Sequence, residues 1–492
     1  MTGRARVSRA VIAPVLAAGL AACSAEAGGP VPAFATTRSE CPEHAIGGAV
    51  TCYLVTVPED PARPDGRAID LEVMVLEARS AEPRDDPLVA IPGGPGQSAT
   101  RAAGTRDYFA EVFDPLRDER DIVLLAPRGT AGSGELGLDP SPEILFDDLA
   151  TVVPASWTRA ARARLAERAD LTSYTTSHIA EDLETIRAAL GYGALNIYGT
   201  SYGTRVAQLY AARYPRNVRT LVLKAPVPPT AVVPLTYTTG SQRALDALFE
   251  LCREQEACRA AYPAIEERFA GLLERLREDS ASLTVTNPLS GAEAEIRIDD
   301  TALGYLLRNL MMAASGGATT LAVIDQASRG DFSAVSAAVP ALRAAYATAL
   351  AGGMAISVIA SEDVPRVTDE LLEEDVRSGF LRGAVARGML DAAEGWPRAD
   401  VRPDLYEFLE ADIPTLLVTG DFDPATPPAF AEEIAGHLPS ARVLVFPGGA
   451  HSANNFDGLG GIMADFVRSA SVDGLDLTAV ERNRPLPLVS NR

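Results

Sequence analysis

The stretch Gly199-Thr200-Ser201-Tyr202-Gly203 could hold a nucleophile, because its serine sits between two residues that a very tight turn demands. Upstream, Ala194-Leu195-Asn196-Ile197-Tyr198 is a short apolar run of the kind a buried strand shows. Downstream, Thr204 to Tyr214 carries apolar residues at helical spacing until Pro215. A serine on a strained turn between strand and helix has its hydroxyl exposed to a reacting carbonyl. A Cβ at Gly199 or Gly203 would collide inside such a turn, so both glycines belong to the same signal.

A serine hydroxyl is a weak nucleophile at neutral pH and needs a base, which in turn needs an orienting acid. The chain has four histidines. His44 lies between Cys41 and Cys52, His178 precedes a helical pattern, and His437 sits in the amphipathic run Phe430 to Leu438. His451 follows the strand-like Ala441 to Phe446, in the loop Pro447-Gly448-Gly449-Ala450-His451-Ser452. Nucleophile, acid, then histidine after the last strand is the chain order of α/β-hydrolases, and only His451 fits it. Thr415 to Thr419 reads as the preceding strand, and Asp421 and Asp423 compete as the acid on its loop. The reach needed to meet a histidine from a neighbouring strand favours Asp423. Asp421 reads equally as the loop's own hydrogen-bonding residue.

A tetrahedral oxyanion needs two backbone N–H donors. Tyr202, next after the nucleophile, supplies one. The second is expected from the loop Pro92-Gly93-Gly94-Pro95-Gly96-Gln97-Ser98 after the strand Asp86 to Ile91. Pro95 has no N–H, which leaves the glycines, with Gly94 preferred. The mechanism expected of this set is acyl transfer, and it needs no cofactor.

These residues resemble the prolyl-iminopeptidase-like α/β-hydrolases, in particular the secreted tripeptidyl-aminopeptidase-like branch, over roughly residues 38 to 470. The resemblance rests on Gly93-Gly94-Pro95-Gly96, Arg128-Gly129-Thr130, Tyr198 to Thr204, Val227-Pro228-Pro229, Gly420-Asp421-Phe422-Asp423-Pro424 and His451. It implies a serine peptidase acting on free peptide N-termini with Ser201, Asp423 and His451 as its triad. Two places depart from the family pattern. Ala126-Pro127-Arg128-Gly129-Thr130-Ala131 stands where Asp-Gln-Arg-Gly-Thr-Gly is common, and Lys224-Ala225 stands where Asp-Gly is usual.

The elements that must position this set follow the same order. Thr51 to Val57 and Ile69 to Leu76 read as an opening hairpin, and Asp121 to Leu125 as the strand after the oxyanion loop. Ile179 to Leu190 reads as the helix feeding the nucleophile strand, and Thr220 to Leu223 as the strand after the nucleophile helix. The fold class expected is α/β: a mostly parallel sheet covered by helices, with a helical cap inserted after the sixth core strand. The cap spans residues 231–411, between core parts at 38–230 and 412–492. Its helices are read at Ser241 to Glu256, Ala264 to Glu278, Thr301 to Met312 and Phe332 to Leu350. An exopeptidase must hold a free ammonium, and a carboxylate in a partly dry site does so by charge-assisted hydrogen bonding. Glu362 in the cap is the candidate.

Arg4, Arg6 and Arg9 precede the short apolar run Val11 to Leu20, which makes residues 1–22 an export signal. Leu20-Ala21-Ala22-Cys23 resembles the lipobox of bacterial lipoproteins, in which the cysteine is acylated, so Cys23 would be the lipid anchor. Residues 23–37, rich in Ala, Gly and Pro, read as a tether. The expected location is the cell envelope, on the membrane's extracytoplasmic face. Four cysteines remain, and an oxidising compartment favours pairs. Three connectivities are possible, and local pairing of Cys41 with Cys52 and of Cys252 with Cys258 closes the shortest loops. Their spacing does not fit a tetrahedral zinc site. In the resembled family a further pair is common, and Ala360 and Ala393 stand at what look like those positions. A net charge of −22 argues against nucleic acid as a partner. The expected partner is a peptide or a small ester or amide substrate. An esterase or amidase without need of a free amine is the alternative, and a catalytically silent binding protein of the envelope a weaker one.

Overall fold

The computed structural model of the protein describes residues 35–42, 47–102, 112–452 and 456–489. The export signal over 1–22, Cys23, His44 and nearly all of the 23–37 tether lie outside the described residues.

Short apolar runs, with one polar strand added at the edge, become the strands of one sheet. In chain order these are β1 (Thr36–Ser39), β2 (Val50–Pro58), β3 (Ala68–Leu76), β4 (Leu88–Ile91), β5 (Ile122–Leu125), β6 (Leu195–Thr200) and β7 (Val218–Lys224). A separate hairpin follows, β8 (Ala281–Thr286) and β9 (Glu293–Ile298), before β10 (Thr415–Gly420) and β11 (Ala441–Phe446) rejoin the sheet. The nine-stranded order is β1-β2-β3-β5-β4-β6-β7-β10-β11. β1, β2 and β3 pair antiparallel, and β3 meets β5 antiparallel. From β5 to β11 every pairing is parallel. The chain leaves β4 for β5 on one side and later returns to β6 on the other. This reversal opens a crevice at the strand ends, where ligands bind in open α/β sheets.

Alternation along the strands feeds two cores. Val89, Ile91, Ile197, Leu221, Leu223 and Leu417 face one side, against the helices Thr176–Ala189 and Tyr202–Arg213. Leu88, Ala90, Tyr198, Val222, Leu416 and Val418 face the other, against the helix Leu459–Ser469. β1 was not foreseen, since its four residues are polar and none is fully buried, and only backbone pairing to β2 makes it a strand.

Between β7 and β10 the chain is mainly helical, and its elements depart from expectation in two ways. The first helix runs Val233–Glu254, eight residues earlier than the expected Ser241, because Pro234 is tolerated in a first turn. The hairpin β8–β9 stands where no strand was expected. Ser282-Leu283-Thr284-Val285-Thr286 alternates, and only Val285 is fully buried. Helices Ile265–Glu278, Asp300–Met311 and Ser333–Ala349 lie where periodicity put them.

Disulfides join Cys41 to Cys52 and Cys252 to Cys258. Such bonds persist in oxidising compartments, which marks an extracytoplasmic protein. Among the described residues no single helix is long and apolar enough to cross a membrane. Arg128 is buried and forks onto Asp182 at 2.7 and 2.6 Å while donating to the carbonyls of Glu59 and Ser173, so this signature arginine is a strut.

Candidate active site

Ser201 occupies the residue between β6 and the helix Tyr202–Arg213, with φ 53° and ψ −122°. Such backbone is rare for a residue with a side chain and costs on the order of 1–3 kcal/mol, which the surroundings must impose. They do so by crowding. A Cβ on Gly199 would lie 2.8 Å from the Gly203 carbonyl oxygen, and one on Gly203 would lie 2.5 Å from that of Ile91. The G-x-S-x-G pattern is thus a packing requirement of this turn against β4.

The three residues far apart in sequence come together here. His451 Nε2 is 3.1 Å from Ser201 Oγ, and its Nδ1 is 2.8 Å from Asp423 Oδ2. Asp423 is fully buried, which pushes its pKa up. The charge and hydrogen bond of His451 and the Thr426 donors outweigh this and hold it down at about 2. Its Oδ1 accepts from the N–H groups of Ala425 (2.7 Å) and Thr426 (2.9 Å), and its Oδ2 from Thr426 Oγ1 at 2.7 Å. Asp421 serves another bond: its Oδ1 accepts the Gly448 N–H at 2.7 Å and ties the acid loop to the histidine loop. The other described histidines are spoken for. His178 bonds Thr175 Oγ1 at 2.8 Å, and burial beside Arg128 lowers its pKa to about 4. His437 stacks on Phe408 at 3.8 Å.

The glycine loop after β4 touches the nucleophile, since a Cβ on Gly93 would lie 3.0 Å from that of Ser201. Gly94 has φ +109°, a conformation that side chains resist. Gly94 and Tyr202 line the same cavity as Ser201 and His451, and neither N–H donates to a backbone carbonyl among the described residues. This cavity measures about 400 Å³ and is walled on its far side by the β7–β10 insertion.

Glu362, the expected ammonium holder, is not among the residues that line the cavity. It is fully buried, and its oxygens accept from the Thr176 N–H and Oγ1, both at 2.7 Å, so it lies behind the cavity wall and not on it. A π-helical turn over Ile359–Asp363 turns the neighbouring acid, Asp363, to the cavity. Asp363 meets Arg205 at 3.3 Å and accepts the Val233 N–H at 3.2 Å. Burial raises the Glu362 pKa to about 7, although Arg205 and Thr176 pull it down.

Three further residues were missed. Thr426 supports Asp423, and its signal was a hydroxyl three residues after an acid. Arg243, on the helix Val233–Glu254, donates to the backbone carbonyls of Asp421 and Asp423. Lys224, at the end of β7, donates to the His451 carbonyl at 2.8 Å, and burial lowers its pKa to about 8 against the pull of Asp423. It is the chain's single lysine. Ala225 beside it has φ 52°, at the position where the resembled family has glycine.

Residues 86–260 match the family model described as alpha/beta hydrolase fold, and residues 381–478 the one described as TAP-like protein. The serine protease Hip1 of Mycobacterium tuberculosis is 27% identical over 84% of both chains. The tripeptidyl aminopeptidase of Streptomyces lividans is 33% identical over 37% of this chain and 36% of its own. The chain is an α/β-hydrolase, similar to those of the prolyl-iminopeptidase and tripeptidyl-aminopeptidase type. Among solved structures, the hydrolase aligns with proline iminopeptidase from Mycobacterium smegmatis at 16% identity and a TM-score of 0.40, over 85% of this chain and 98% of that one. The hydrolase is an enzyme, and its relatives are named serine protease and tripeptidyl aminopeptidase.

Proposed function

We propose that this serine hydrolase is an exported, lipid-anchored aminopeptidase that releases residues or short peptides, of prolyl or tripeptidyl type, from free peptide N-termini. The observation that carries the reading is the relay from Ser201 through His451 to Asp423, opening into a cavity whose lining includes Asp363. Ser201 Oγ attacks the scissile carbonyl while His451 Nε2 takes its proton. The imidazolium that forms is stabilised and oriented by Asp423, whose depressed pKa keeps it ionised throughout. The Tyr202 and Gly94 N–H groups hold the oxyanion. His451 then protonates the leaving amine, and water deacylates Ser201 by the reverse path. Asp363 binds the substrate ammonium from the insertion wall. The arginine-led apolar run and Cys23 lipobox support export and anchoring, and the disulfides agree with that compartment.

One observation favours a second reading. Asp363 already holds Arg205 and the Val233 N–H, and an esterase or amidase indifferent to the amine would need nothing more from it. A panel of free and N-acetylated aminoacyl and tripeptidyl anilides, beside simple aryl esters, separates the two. The aminopeptidase reading expects acetylation to remove roughly ten- to a hundredfold of kcat/KM, the worth of one charge-assisted hydrogen bond. Asp363→Asn should do the same for free substrates. Equal cleavage of blocked and free substrates would establish the esterase or amidase instead.

A further inference from the structure

Among the described residues, buried guanidinium groups are partnered with one exception. Arg120 forks onto Asp86, Arg128 onto Asp182, and Arg205 pairs with Asp363. Arg343 donates to the carbonyls of Leu145, Asp147 and Thr151. Arg308 is only 4% exposed, yet among the described residues no carboxylate lies within ion-pair distance of it and its Nε has no hydrogen-bond partner. Its one strong contact is with Tyr237, whose ring its guanidinium carbon overlies at 4.1 Å. A cation–π contact offsets only part of the cost of burying an unpaired charge.

Arg308 lines the cavity that holds Ser201 and His451. Two contacts locate it. Met312, one helical turn further on, accepts the Ser452 N–H at 2.8 Å, so the Arg308 helix abuts the histidine loop. On the insertion's first helix, Asp363 caps Val233 and Arg308 covers Tyr237, four residues on. Asp363 and Arg308 therefore meet the same helix one turn apart. The neighbouring Asn309 is committed already, donating to Tyr305 O and accepting from Tyr346. Arg308 is left with its fork uncommitted.

We propose that Arg308 is the anion subsite of this cavity and takes a carboxylate of the substrate. A guanidinium fork matches a carboxylate bidentately, and the stacking on Tyr237 fixes its plane in advance. The carboxylate is either the free C-terminus of a short peptide or an acidic side chain. The proposal rests on the reading above for the cavity being the substrate site, and gives it a selectivity that the triad does not supply.

The experiment measures ratios of kcat/KM on the full chain for matched substrates. One pair is a short peptide as its C-terminal acid and its amide, a second exchanges Glu for Gln, and a third is an aryl hemisuccinate ester and its methyl ester. Each ratio is internal to one enzyme, so general damage by a mutation cancels. Wild type should favour the acid roughly ten- to a hundredfold in the first pair if the C-terminus is bound, or in the second if a side chain is. Arg308→Gln should bring that ratio to about one. Arg308→Lys, which keeps the charge and loses the fork, should retain part of it. The ester pair needs no free amine, so it tests Arg308 even where the aminopeptidase reading fails. No preference for the acid in any wild-type pair, or a preference that survives Arg308→Gln, overturns the proposal.

Discussion

The Lys224 ammonium donates to the backbone carbonyl of His451 over 2.8 Å, with the Phe456 ring 4.7 Å from its nitrogen. The chain's one lysine thus ties the end of β7 to the loop that carries the general base. Lys224→Met removes that tie and should lower kcat on the order of tenfold with KM little changed. Its pKa is lowered to about 8 by burial, so the folded state loses the proton before the unfolded chain does. The penalty is full below pH 8 and is relieved as pH rises from 8 towards 10.5. Melting temperatures across that window should rise less with pH in Lys224→Met than in wild type.

Thr426 should matter through Asp423. Its hydroxyl donates to the carboxylate oxygen that also faces His451. Thr426→Val keeps the shape, removes the donor, and is expected to reduce kcat about tenfold, while Thr426→Ser restores most of it. Steady-state kinetics on an anilide and an aryl ester should show the same loss.

The two aspartates of the acid loop should separate cleanly. Asp423→Asn misorients His451 and should cost turnover on the order of 10⁴-fold, the scale known for this exchange in a serine triad. Asp421→Asn weakens only the bond to the Gly448 N–H and should cost tenfold or less. The reverse ranking would transfer the role to Asp421.

Glu362 should appear in stability and not in amine recognition. Burial raises its pKa to about 7, so the folded state holds a proton that the unfolded chain has released. Its contribution is favourable at pH 4.5 and is lost as pH rises to about 7. Glu362→Gln cannot titrate, and its melting temperature should fall less steeply over that window. A selective loss of activity on free over acetylated peptides in this variant would return the ammonium role to Glu362.

What was legible in the sequence had a local cause. The Ser201 turn announces itself because Gly199 and Gly203 have no room for a Cβ, and the order of serine, acid and histidine follows from a parallel sheet. Glu362 and Asp363 are adjacent, and only the π-helical turn decides which one meets the cavity. That turn carries no compositional mark. Lys224 reads only as a departure from the family's usual Asp-Gly until β7 is placed beside β10 and the His451 loop. β1 escapes because its four residues are polar, and the β8–β9 hairpin because its short alternating strands stand amid helical runs.

The central claim is that Ser201 becomes covalently acylated with His451 as its base. The most direct measurement is treatment with a fluorophosphonate probe followed by peptide mapping of the adduct by mass spectrometry. A single adduct on the peptide bearing Ser201 is expected, absent from Ser201→Ala and strongly slowed in His451→Ala. An adduct on another residue, or equal labelling and turnover in Ser201→Ala, would contradict the account.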